Sequence, residues 1–363
     1  YSKNAIKKKI VCLSVCVEIF VSLPRRVLLA VILFIIMYKY KQFSFTTKVV
    51  IVPIGAYPEF RHQTTISEDT LFGPYNNTEV PVEDTYDRLF DVQNFSFIAN
   101  TPVCDGHPAG LLLIVVVSSS PTHFKNREVI RNTWGRNLDT MKLVFLLGET
   151  ADSKVAKQVS DEIHKFGDIV QGTFTDAYRN MTYKHVMGLK WVAHHCPRAR
   201  YVLKTDDDVL VYSGELRRFL VKELSPWGAR DLIAGQIMKE RLALRGPSKW
   251  KVTMEEYPGK YYPTYLLGWA ILYSQDVVRR LLKVSHDIPY FWIDDVYVTG
   301  LAAEKIGVTH TSLASFVLND KKLEKLKKTG SISRDDMLIF GMLNLSVAKI
   351  EELWNLVQNR SEY

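Results

Sequence analysis

The chain has 363 residues, 47 basic and 39 acidic side chains, four cysteines and a formal net charge of +8. Apolar residues make up 47% and aromatics 12%, which excludes a disordered or collagen-like chain, and four cysteines are too few for a disulfide scaffold. The charge excess is local: residues 1–48 hold nine bases and one acid, and the other 315 residues hold 38 of each, so the bulk of the chain gives no electrostatic case for nucleic acid.

Two apolar runs, residues 10–23 and 27–38, flank Pro24, Arg25 and Arg26. Each falls short of the ~20 residues a spanning helix needs, and the Pro-Arg-Arg break prevents their fusion. The second run reads as the core of a signal-anchor, with the arginines on the cytoplasmic side and Tyr38 and Lys39 at the interface. A cleaved signal peptide is the competing reading, although no small-x-small cleavage site follows. Residues 1–26 are then a cytoplasmic tail. No methionine precedes Met37, so this tail reads as a fragment or as translated upstream sequence. Residues 39–103, punctuated by Pro53, Pro58, Pro74, Pro81 and Pro102, read as a weakly packed luminal stem.

The folded part is expected over 104–363. The run Leu111–Val117 suits a strand buried on both faces. After it come a helix over 125–133, a strand over 142–147, an amphipathic helix over 153–165, a short strand at 169–170, a helix over 182–194 and a strand over 201–204. This alternation argues for an α/β fold with a largely parallel sheet, whose sites lie beyond the carboxyl ends of the strands. Five Asn-x-Ser/Thr sequons, at Asn76, Asn94, Asn180, Asn344 and Asn359, all fall on the luminal side of the anchor. Cys104 and Cys196 are the one luminal pair, which an oxidising lumen would bridge; two free thiols are the alternative.

Two acidic clusters carry the chemistry. The strand from Tyr201 delivers Asp206, Asp207 and Asp208 at its end, and side-chain alternation puts Asp206 and Asp208 on one face. Like charges so placed repel unless a cation lies between them, and hard oxygen donors suit Mn²⁺ or Mg²⁺. The competing reading is an acidic turn capping the next helix. The second cluster, Asp294-Asp295, follows Tyr290, Phe291 and Trp292, surroundings that would raise a carboxyl toward a usable base. Its alternative is a cap on a helix over 296–306.

Six ordered blocks over about 200 residues resemble the β-1,3-glycosyltransferases of the galactosyltransferase and N-acetylglucosaminyltransferase type. They are Arg127-x-x-Ile130-Arg131-x-Thr133-Trp134-Gly135, Val144–Gly148, Asp168–Trp191, Tyr201–Val211, Glu255–Ser274 and Ile293–Gly300. The resemblance implies a single Rossmann-type, GT-A-like nucleotide-sugar domain of a Golgi type II membrane enzyme. It makes Asp206 and Asp208 the carboxylates that hold the metal against a UDP-sugar. Asp295 would be the catalytic base, and Asp294 would orient it or cap the helix. Arg127, Arg131, Asp176 and Asp207 would lie at the donor. Trp250, Glu255, Tyr257, Tyr262, Gly268 and Trp269 would lie on the acceptor side. Where family members carry a metal-site histidine this chain has Asp320, unless His310 serves; and Ala302 or Ala303 stands where a family cysteine is common. The lysine-rich segment 321–328 reads as a solvated surface.

The implied reaction is inverting β-1,3 transfer of a hexose to a glycan on glycoprotein or glycolipid. UDP-galactose is the favoured donor and UDP-N-acetylglucosamine the alternative. Two other classes compete: a metal-dependent phosphohydrolase, and a catalytically silent luminal sugar-binding protein.

Overall fold

The computed structural model describes residue 82 and residues 84–107, 110–136, 138–329 and 337–358. The apolar run 27–38, Asn76 and Asn359 lie outside them. Among the described residues no helix is long and apolar enough to cross a membrane.

An eight-stranded sheet organises the domain. In chain order its strands are β3 (Phe97–Ala99), β4 (Leu113–Ser118), β5 (Met141–Glu149), β6 (Ile169–Thr175), β7 (Tyr201–Asp206), β8 (Ile233–Met238), β9 (Tyr265–Ser274) and β10 (His310–Ser312). Their spatial order is β10-β8-β9-β7-β4-β5-β6-β3. A separate hairpin pairs β1 (Arg88–Leu89) with β2 (Val92–Gln93).

Strands β7, β4, β5 and β6 are parallel, as the alternation of elements requires. The expectation of a largely parallel sheet fails at β9, which runs antiparallel to both β7 and β8, and at β3, which is antiparallel to β6. The physical reason lies in the connections: β8 reaches β9 by a long excursion, and β9 returns through α5 (Gln275–Ser285), so neither needs a right-handed crossover.

The β4 run is buried on both faces, and its alternate residues feed different cores. Ile114 and Val116 face one cluster; Leu113, Val115 and Val117 face the other. The first cluster includes α3 (Met181–His195), whose Val186, Met187, Leu189 and Trp191 are fully buried. The second takes in Val129 and Ile130 of α1 (Phe124–Asn132) and Val159 of α2 (Ser153–Phe166). Helix α2 starts where Asp152 accepts N–H bonds from Lys154 and Val155 at 2.9 and 3.1 Å, and stops at Gly167 in the left-handed region.

The reading of 39–103 as a weakly packed stem is corrected for its last twenty residues. Leu89, Phe90 and Phe95 are buried in the core. The fully buried Asp84 carboxylate pairs with Lys190 and accepts from His194 and His286, each at 2.8 Å. Proline spacing hid this, because the ties are to helices a hundred residues away. Cys104 and Cys196 form a disulfide, with Cα atoms 5.5 Å apart, fastening the same segment to the end of α3.

Candidate active site

The site lies beyond the carboxyl ends of β4 and β7, where Ser118 and Asp206 stand side by side in register. The three acids of the triplet part company there. Asp207 turns inward, 5% exposed, to accept from Ser119 Oγ at 2.6 Å and to pair with His123 Nδ1 at 2.8 Å. Its expected place at the donor is therefore corrected: it anchors the β4–α1 loop. The Asp207 hydrogen bond raises the His123 pKa against the opposing effect of burial.

Asp206 stays partly open and binds Lys204. The Lys204 ammonium is the hinge of the site: buried at 1% exposure, it donates to Asp206 Oδ1 at 2.8 Å and to the Gly268 carbonyl at 2.7 Å, and it lies 3.6 Å from Asp294 Oδ2. The antiparallel register of β7 on β9, with Thr205 opposite Ala270, brings Gly268 to it. The two acidic clusters, ninety residues apart in sequence, thus meet across one lysine.

Their titration is pushed apart. Burial opposes ionisation of Asp294, but the Lys204 charge and the His185 Nδ1 hydrogen bond at 2.9 Å outweigh it and hold that carboxyl far below the usual range. Tyr273 fixes the other side of the His185 ring, 3.0 Å from Nε2. Among the described residues Asp295 has no ion-pair partner, and Lys204 acts on it only weakly. Burial, then the neighbouring Asp294 charge, push its pKa up to about 7. It accepts from Val296 N–H at 2.8 Å, which opens the π-helix Val296–Ala302, and from Gly268 N–H at 3.2 Å. A Cβ on Gly268 would stand 3.2 Å from that of Asp295, so the glycine permits the close approach. One fixed anion beside one carboxyl poised near neutrality is the arrangement general acid–base chemistry uses.

The chemistry of the acids at Asp206 and Asp208 fits a divalent cation. Burial and then the charges of Asp206 and Asp207 raise the Asp208 pKa to about 6, and a cation would relieve that repulsion. The expected third ligand is corrected. Asp320 is exposed at the start of the helix Asp320–Thr329, and the Nε2 of His310 is engaged with the Thr299 carbonyl. Among the described residues no three His, Cys, Asp or Glu side chains gather as a metal-holding group.

Arg127 and Arg131 are engaged within the fold. Arg127 is 0% exposed, and its guanidinium is spent on Glu162 at 2.6 Å, Ser119 Oγ at 3.0 Å and the Ser120 carbonyl at 2.6 Å. Arg131 is bonded to Asp168 at 2.8 Å and to Glu162 at 2.6 Å. They brace the loop that holds Asp207. Arg127→Met should therefore lower stability by about 3 kcal/mol, as loss of one buried partner does. UDP affinity of the folded protein should move by less than about tenfold, ~1.4 kcal/mol. Thermal unfolding and UDP titration check both, and loss of UDP binding without loss of stability would reverse the assignment. Asp176 accepts from Gly148 N–H at 2.7 Å and pairs with Lys184 at 2.8 Å, at the ends of β5 and β6.

On the acceptor side, Tyr262 and Trp269 are core residues, at 8% and 7% exposure. Tyr262 packs on Tyr257 and Phe291, and Trp269 meets Phe340 edge-on. Glu255 is exposed, held to Thr253. Trp250 is open, with Lys249 Nζ 4.4 Å above its ring. Sequence reasoning missed Tyr178, an exposed ring 6.1 Å from Trp292 with Lys249 Nζ 5.8 Å from its centroid; burial raises its pKa, and the Asp294, Asp295 and Asp206 charges add to that. It also missed Lys204 and His185. Of the sequons, Asn94 and Asn344 are exposed, whereas Asn180 spends its amide on the Thr175 carbonyl at 2.8 Å and Thr182 is fully buried.

A cavity of about 510 Å³ lies elsewhere, around Cys104, His195 and Arg198, before the amino ends of β4 and β7. The convergent acids, not that cavity, define the site.

Comparison with known proteins agrees. The family profile described as Galactosyltransferase matches residues 125–314. The chain is 32% identical over 252 residues to an acetylgalactosaminyl-O-glycosyl-glycoprotein beta-1,3-N-acetylglucosaminyltransferase of Mus musculus, covering 66% of this chain and 63% of that one. It is 33% identical over 238 residues to beta-1,3-galactosyltransferase 5 of Pan troglodytes, covering 63% and 79%. It is 32% identical over 254 residues to beta-1,3-galactosyltransferase 1 of Mus musculus, covering 69% and 74%.

Proposed function

The chain belongs to the galactosyltransferase family, and from that premise we propose that it is an inverting β-1,3-glycosyltransferase moving a hexose from a UDP-sugar to a glycan acceptor. The observation that carries the reading is the split pair: Asp294 held ionised by Lys204 and His185, and Asp295 held near neutrality beside it.

Asp295 takes the proton of the acceptor 3-hydroxyl as that oxygen attacks the anomeric carbon, and the UDP leaves from the opposite face. Asp294 keeps Lys204 and His185 in place and keeps the Asp295 carboxyl basic enough to accept. Asp206 and Asp208 are the residues that would hold Mn²⁺ or Mg²⁺. Such an ion, when bound, supplies positive charge for the diphosphate. Tyr178 offers a ring face on which an acceptor sugar can lie.

UDP-galactose is the donor favoured by the Glu255–Ser274 segment, and two of the relatives above are galactosyltransferases. UDP-N-acetylglucosamine is the second reading, favoured by the first relative. The sequons, the disulfide and the apolar run 27–38 support a luminal catalytic domain on a Golgi type II anchor. Incubating the protein and Mn²⁺ with each UDP-sugar and soluble β-linked acceptors should give one β-1,3-linked product. Release of free sugar or sugar phosphate alone would favour hydrolysis and defeat the proposal.

A further inference from the structure

We propose that the excursion between β8 and β9, residues 239–264, docks on a lipid surface bearing anionic headgroups and so presents the cleft to lipid-borne acceptors; the acceptor half rests on the transferase reading above.

The two ends of the excursion meet at one isolated antiparallel bridge. Leu242 faces Tyr261, between the bonds Tyr262 N–H to Arg241 at 2.8 Å and Ala243 N–H to Lys260 at 3.0 Å. Alternation then divides its side chains. Ala243 and Tyr262 turn inward at 6% and 8% exposure, while Leu242, Leu244 and Tyr261 turn outward at 50%, 43% and 49%. An extended pair with one face on the core ordinarily carries polar residues on the other. Here the outward side chains Leu242, Leu244 and Tyr261 are apolar instead. With Trp250 and Met254, the excursion holds five of the ten exposed large hydrophobic side chains among the described residues.

These side chains are held outward. The Arg245 guanidinium donates to the carbonyls of Val252, Thr253, Tyr257 and Gly259 at 2.6 to 3.2 Å, closing the excursion on itself. Collapse of Leu242 or Leu244 onto the core would break that lattice.

Charge selects the occupant. The excursion carries six bases and three acids, whereas the other residues beyond 48 carry 32 bases and 35 acids. Lys239, Arg241, Lys249, Lys251 and Lys260 are exposed among the apolar side chains. Aliphatic and aromatic groups interleaved with lysine and arginine are what an anionic bilayer interface accepts. A glycan would use the aromatic rings but gains little from leucine and methionine. The apolar face reaches toward the cleft: Lys249 Nζ lies 4.4 Å from the Trp250 ring and 5.8 Å from the Tyr178 ring, which stands 6.1 Å from Trp292, two residues before Asp294.

The test uses the full chain in vesicles of brominated phosphatidylcholine with a minor fraction of phosphatidylserine. The Trp250 fluorescence, taken as the difference between the wild-type protein and Trp250→Phe, should be quenched by the brominated chains. The double variant Leu242→Glu, Leu244→Glu should lose that quenching. Its kcat/KM should fall about tenfold on a glycolipid acceptor in the vesicles and stay within about twofold on a soluble one. Should that variant misfold by circular dichroism, Lys251→Glu with Lys260→Glu carries the same readouts. Unquenched Trp250, or variants indistinguishable from wild type, overturns the proposal. So does a wild-type dimer in sedimentation that the leucine variant loses while Trp250 stays unquenched, since a second copy would then cover the face. Quenching with no transfer to any acceptor would retain the surface and reject the transferase reading instead.

Discussion

Asp295→Asn should abolish sugar transfer, lowering kcat by 10²- to 10⁴-fold or more, ~3–5 kcal/mol of barrier, while UDP binding is retained. An amide keeps the shape, and its one oxygen can still accept from Val296 N–H at 2.8 Å, giving up the longer 3.2 Å bond from Gly268 N–H, so the fold stays in place. What disappears is the capacity to take a proton. The pH dependence carries the second half of the expectation. The base works deprotonated, and burial with the Asp294 charge places the Asp295 pKa at about 7, so wild-type kcat/KM should climb as pH rises through that value and flatten above it. Asp294→Asn removes the charge that, after burial, raises Asp295. The ascending limb should therefore move to lower pH, even as turnover falls from the loss of the anchor for Lys204 and His185. Steady-state kinetics from pH 5 to 9, with UDP affinity measured separately, check both. An Asp295→Asn enzyme with full turnover would remove Asp295 from the base role. An unmoved limb in Asp294→Asn would mean another group sets the profile.

Much of the scaffold was legible because its signals are local. Most of the unbroken run 111–117 lies in the strand Leu113–Ser118, buried on both faces, and the amphipathic stretch 153–165 is a helix ending one residue later. The acids were legible as well, since carboxylates that close a buried strand are conspicuous. Their partners were not. Arg127 and Arg131 carry the residue type that binds phosphate, and only folding shows Glu162 and Asp168 already occupying them. Trp269 and Tyr262 carry the type that stacks on sugars, and only the tertiary fold turns them into the core. Asp207 could not be separated from its neighbours, because alternation gives the face of a side chain but not what waits there. The β9 direction was hidden because no local signal in β9 itself distinguishes a parallel from an antiparallel neighbour.

Lys204 had a signal that went unread: a lysine in a strand otherwise of Tyr, Val, Leu and Thr must be paired if it is buried. Burial lowers its pKa, but the charges of Asp206 and Asp294 dominate and keep it protonated. Lys204→Met should leave those two carboxylates without their shared cation, and breaking a buried pair from one side costs about 3–5 kcal/mol. For a domain of this size the melting temperature should drop by about 10 °C. Adding Asp294→Asn should recover part of that loss, since the second substitution removes one of the stranded charges; two independent sites would instead add their costs. The single variant should also move the ascending limb of the pH profile upward, because the ammonium lowers the Asp295 pKa along with that of Asp294. Thermal unfolding of the single and double variants, with the pH profile of the single one, tests the whole chain of coupling. A Lys204→Met protein that melts within about 2 °C of wild type would mean the ammonium is not the link between the clusters. The two acidic sequences would then have to be held together by the β7–β9 backbone alone.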